Sequence, residues 1–99
     1  MDRTQLIEKL KSELDKLNRE LDNADEKIQQ LSGEGKKAYE KQIDELRSLM
    51  AEAKVKYDKA KGSAEENWKE MQENIEFTAK ALKNSVNYFM SHFKQRKKE

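Results

Sequence analysis

The sequence predicts an all-α protein, an antiparallel coiled coil or helical bundle that forms a single domain over residues 1–99. Three observations predict it. Apolar residues recur at alternating gaps of three and four, at Ile7, Leu10, Leu14, Leu17, Leu21, Ala24, Ile28 and Leu31, which is the a/d seam of a helix lying along a partner helix. The chain has no proline, and its three glycines fall in two places, Gly33 with Gly35 and Gly62 alone. Charged residues make up 41% and apolar residues 34%, which is low for an ordinary compact domain but suits long helices with narrow apolar stripes. The sustained periodicity separates this chain from a disordered one of similar composition.

The first helix is expected over 3–31, with Asp2 or Thr4 as its N-cap. Opposite charges at helical spacing, such as Glu8 with Lys11, Glu13 with Lys16 and Asp15 with Arg19, mark a solvated outer face. Ser32-Gly33-Glu34-Gly35 then interrupts the helix formers and suits a helix stop followed by a short turn. Apolar positions resume at Tyr39, Ile43, Leu46, Met50, Ala53, Tyr57 and Ala60, placing a second helix over 36–61. From Ile28 to Tyr39 is eleven residues, a stutter that an uninterrupted coiled coil accommodates. Two arrangements therefore satisfy the pattern: a turn at Gly33–Gly35, or one continuous helix of about 85–90 Å.

Gly62 follows Lys59 and Lys61, where a C-terminal glycine stop belongs, and Ser63 with Glu66 reads as a capping box. A third helix is expected over 64–95, folding back antiparallel across Gly62. Its main stripe is Trp68, Met71, Ile75, Ala79, Leu82, Val86, Phe89 and Phe93. A second face carries Phe77, Ala81 and Tyr88, and Met90 widens the apolar arc. Acids dominate its first half (Glu65, Glu66, Glu70, Glu73 and Glu76), bases its second (Lys80, Lys83, Lys94, Arg96, Lys97 and Lys98). That polarity suits the helix macrodipole.

Composition and motifs point away from chemistry. There is no cysteine, and His92 is the single histidine, so thiolate and paired-histidine metal sites are excluded. No Glu-x-x-His pair supports a di-iron reading, and no phosphate-loop pattern surrounds Gly33-Glu34-Gly35. The expectation is a protein that is not an enzyme and uses no cofactor and no metal. The N-terminus shows no signal peptide, and no apolar run approaches the ~20 residues of a membrane span, so the default compartment is cytoplasmic.

One stretch rises above this background. Tyr88, Phe89, Met90 and Phe93 are followed by Lys94, Arg96, Lys97 and Lys98, the combination an interfacial helix uses on anionic lipid or an acidic protein. Core aromatics followed by a solubilising tail give the same pattern. Nucleic acid is the least favoured partner, because net charge is only +1. The heptad seam itself calls for self-association if the first two helices are continuous, since the third is then too short to cover both.

Leu14-Asp15-Lys16-Leu17-Asn18, Tyr39-Glu40-Lys41-Gln42-Ile43-Asp44-Glu45-Leu46-Arg47, and Gly62-Ser63-Ala64 ahead of Trp68 and Met71 resemble a family of small bacterial coiled-coil proteins. Some of these are described as stress-response proteins. Gly33 and Gly35 depart from the family, whose members tend to carry alanine there. The resemblance implies a cytosolic, non-enzymatic coiled-coil structural or protein-interaction module with a possible link to stress. The alternative is a peripheral membrane-binding protein working through its aromatic and basic C-terminal helix.

Overall fold

The structure is a computed structural model and describes residues 2–97. These residues form three α-helices: α1 over Arg3–Ile28, α2 over Gly33–Lys61 and α3 over Glu65–Lys97. They run up, down and up, and each packs on both others, in a bundle of 52 × 20 × 17 Å. The continuous rod is thereby excluded, because its length would exceed the long axis of the molecule. The chain reverses over Gln29–Ser32, slightly ahead of the expected turn.

The reversal has a local cause. Past Ile28 the last turn tightens, with Gln30 N–H donating to Lys27 O at 3.1 Å and Leu31 N–H to Ile28 O at 2.9 Å. Ser32 is extended, and Gly33 takes φ +73°, a left-handed value that L side chains avoid. Gly33 and Gly35 thus sit in the first turn of α2 rather than in the connection. Leu31, placed on the seam by its spacing, lies beyond the end of α1 and is 40% exposed. The repeat keeps its phase across the turn because Ile28 and Tyr39 belong to the same core.

The other ends are also specific. Asp2 caps α1: its Oδ1 accepts from Gln5 N–H at 2.8 Å while its own N–H donates to Gln5 Oε1. At the second corner the expected capping box does not form. Ser63 Oγ instead donates to Ala60 O at 2.8 Å, serving the end of α2, and α3 begins at Glu65. Gly62 has φ −92°, so the left-handed stop expected there is not used.

The seam is filled within one chain. Leu14, Leu17, Leu21, Ala24 and Ile28 of α1 meet Tyr39, Ile43, Leu46, Met50 and Ala53 of α2 and Leu82, Val86, Phe89 and Phe93 of α3. A smaller cluster at the other end joins Leu10, Ala60, Ile75 and Ala79, with Leu6, Trp68 and Met71 packed on it. Tyr57 contacts both clusters. Full burial of an aliphatic side chain contributes about 1.5–3 kcal/mol, so these layers supply most of the stabilisation. Surface ion pairs contribute less. The intrahelical pairs expected within α1 do not close among the described residues. Arg47 instead crosses from α2 to Asp22 at 2.8 Å and Asp25 at 3.7 Å on α1.

Candidate interaction surface

The aromatic group near the C-terminus divides when it folds. Phe89 and Phe93 are 4% and 5% exposed. They stack on each other at 5.8 Å, and the Tyr39 ring meets them edge-on at 6.0 and 5.0 Å. These three rings seal the core where α2 begins and α3 ends. Met90 is half-buried and packs on the same core. Tyr88 points the other way and is 69% exposed, its ring 4.4 Å from that of His92. Lys98 lies outside the described residues, as do the side chains of Lys94, Arg96 and Lys97.

Tyr88 belongs to a face that runs along the junction of α2 and α3. Phe77 is 75% exposed and lies eleven residues before it, close to three helical turns, so the two share one side of α3. Ala81 and Ser85 occupy the turns between them. Across the junction, Leu49 of α2 is 39% exposed. A groove of about 500 Å³ opens here, lined by Ala38, Gln42, Leu49, Ser85, Tyr88 and His92 among others. Further along, Lys56 spans the junction, donating to Thr78 Oγ1 at 3.0 Å and pairing with Glu52 at 3.4 Å.

On its α2 side the face carries charge, with Glu45 lining the groove and Lys56 and Glu52 beyond it. On α3 the line Asn74, Phe77, Ala81, Ser85, Tyr88 carries no charge, in a chain that is 41% charged. Scattered exposed apolar residues are ordinary on a folded surface; Phe77 and Tyr88 differ in being aligned on one uncharged line of α3. Sequence spacing shows the second face of α3, since Phe77, Ala81 and Tyr88 fall off the main stripe. It gives no sign of Leu49, whose position is settled only by which flank of α2 meets α3.

Arg3 is the other residue whose position the sequence does not reveal. Its guanidinium lies over the Trp68 ring and reaches Glu65 and the carbonyls of Ala60, Lys61 and Ser63. The N-terminus of α1 thus supplies donors to the end of α2, where backbone carbonyls lack helical partners.

The titration of Tyr57 is perturbed. Burial pushes its hydroxyl above the usual tyrosine value, and the neighbouring charges of Asp58, Asp15 and Glu8 push in the same direction. Among the described residues no helix is long and apolar enough to cross a membrane. Comparison with family models, curated proteins and solved structures returns no match to this chain.

Proposed function

We propose that this chain is a non-enzymatic protein-interaction module, a cytoplasmic coiled-coil bundle that receives a partner on the α2–α3 face. One observation carries the proposal: Phe77 and Tyr88 stay exposed on an uncharged line of α3, with Leu49 of α2 exposed across the junction, while the main apolar stripe of α3 is buried or half-buried. Buried aromatic anchors dominate interface energetics, and these are the anchors that await a partner. Gln42, Glu45 and His92 beside them are exposed to water, a setting that suits recognition better than acid–base chemistry. A part in a stress response is what the resemblance to small bacterial coiled-coil proteins would add.

The test is a photo-crosslinking amino acid placed at Phe77 and, as a control, at Ser12 on the outer face of α1. The proposal expects protein adducts from position 77 in cells and few from position 12. Equal yields at the two positions, or none at either, would contradict it.

Anionic lipid is the weaker reading. With Phe89 and Phe93 in the core, insertion falls to Tyr88 and the basic residues that follow. Each base near an anionic bilayer contributes ~1 kcal/mol, so binding would be weak and salt-sensitive. Failure to sediment with anionic vesicles at low salt removes this reading.

A further inference from the structure

We propose that the groove between α2 and α3 binds a small organic cation, a quaternary or alkyl-substituted ammonium, with its charge beside Glu45 and its alkyl groups against the surrounding rings. This goes beyond the interaction-module reading and needs no protein partner.

The groove has the volume and the lining of a small-ligand site. At about 500 Å³ it lies within the usual range for such pockets. Tyr39, Leu46 and Phe89 line it and are themselves buried, so they form its floor. Leu49, Tyr88 and His92 stand exposed around that floor. The floor rings are fixed by the core, Tyr39 and Phe89 meeting edge-on with centroids 6.0 Å apart. The Tyr88 and His92 rings lie 4.4 Å apart, one turn from each other on α3. Aromatic surface is thus in place before a ligand arrives, which lowers the cost of binding.

Charge selects a cation. Glu45 is the one acid lining the groove, and among the described residues no lysine or arginine lines it, in a chain that has 21 of them. With histidine neutral at pH 7, the lining carries a single negative charge. Glu45 is exposed and makes no ion pair among the described residues. Lys41, one turn before it, lines a neighbouring hollow with Lys37, where Glu40 and Asp44 balance the two lysines.

The rings narrow the class of cation. An aromatic face attracts positive charge, most strongly when the cation sheds its water easily. A quaternary ammonium does so, because it has no N–H to hold water. A metal ion would find one carboxylate and keep most of its hydration shell. An anion would be repelled by Glu45, and a neutral apolar ligand would gain nothing from it.

The probes are choline and its neutral isostere, in which carbon replaces the quaternary nitrogen. Backbone amide shifts of the isotope-labelled whole chain are followed at neutral pH, with sodium chloride at equal ionic strength as the blank. Choline should give saturable shifts at Gln42, Glu45, Ser85 and His92 and bind about tenfold more tightly than the isostere. Glu45→Gln should weaken choline binding about threefold. Tyr88→Leu, which keeps an apolar side chain but removes the aromatic face, should weaken it about fivefold. Both residues are exposed, and unchanged helix content and Trp68 fluorescence verify the fold of each variant. Phe77→Leu, outside the groove, should leave the affinity unchanged. No saturable shift, or equal affinity for the two probes, overturns the proposal. So does an affinity untouched by Glu45→Gln or by Tyr88→Leu, or one that Phe77→Leu weakens as much as Tyr88→Leu does. Protein adducts from position 77 bear on the interaction-module reading alone, so the two fail separately.

Discussion

The guanidinium of Arg3 lies 4.6 Å from the centroid of the Trp68 ring, joining the start of α1 to the first turns of α3. The same group donates to the Ala60 and Lys61 carbonyls at 3.3 Å and pairs with Glu65 at 3.3 Å. One side chain therefore ties together the end of the bundle at which α2 hands over to α3.

Arg3→Ala should destabilise the protein by about 1–3 kcal/mol, the range for losing hydrogen bonds from a charged donor together with a cation–π contact. Arg3→Lys should recover little, because an ammonium lacks the planar fork that reaches several carbonyls and stacks on a ring. Urea unfolding followed by the fluorescence of Trp68, the single tryptophan, checks both.

The two corners should respond oppositely to alanine. Gly33→Ala meets no steric obstacle but must hold φ +73°, at a cost of about 1–2 kcal/mol. Gly62 has φ −92°, and an added Cβ would lie 3.5 Å from Asp58 O, an ordinary contact. Gly62→Ala should therefore be neutral or stabilising by up to about 1 kcal/mol through the unfolded chain. Thermal melts of the two variants decide the point. Equal losses at both positions would contradict the turn geometry.

Adjacent aromatics should differ sharply. Phe89→Ala removes the ring that packs on both Tyr39 and Phe93 and should cost about 3–5 kcal/mol. Tyr88→Ala removes an exposed ring and should stay within about 0.5 kcal/mol for the isolated chain. Denaturant midpoints measured at low protein concentration keep any self-association out of the comparison.

Much of this fold is legible in the sequence, and the failures share a cause. The spacing of Leu10, Leu14, Leu17, Leu21, Ala24 and Ile28 gives their burial directly, because a helix converts that spacing into one face. Spacing cannot distinguish a turn from a stutter between Ile28 and Tyr39. The decision rests on Gly33 adopting a left-handed backbone and on the area gained when α1 and α2 cover each other. The corner at Gly62 misleads for a similar reason. Ser63 has a choice of partners, and the Ala60 carbonyl, presented by the folded corner, takes its hydroxyl. At the candidate surface, the helical repeat assigns Phe89 and Phe93 to the core stripe and Phe77 and Tyr88 to another face. It leaves out Leu49 and Arg3, whose surroundings exist only once three helices are side by side.

Stability should fall at high pH through Tyr57. Its folded-state pKa lies above the unfolded value near 10. Below the unfolded pKa both states hold the proton and there is no effect. As pH rises past it, the unfolded chain loses its proton while the folded chain keeps it, so unfolding becomes easier. Tyr57→Phe should lack this part of the decline. The difference in melting temperature between wild type and variant, followed from neutral pH to above the tyrosine range, isolates it from lysine titration. A constant difference across that window would contradict the assignment.

The central claim is that the heptad seam of α1 is closed by the chain's own second and third helices. Nuclear Overhauser contacts between the rings of Tyr39 and Phe93, whose centroids are 5.0 Å apart, test it most directly in an equal mixture of isotope-labelled and unlabelled chains. The account predicts strong Tyr39–Phe93 contacts within labelled chains and none between a labelled and an unlabelled chain. Contacts between chains at that pair would show that the seam is closed by exchange with another molecule, and would contradict it.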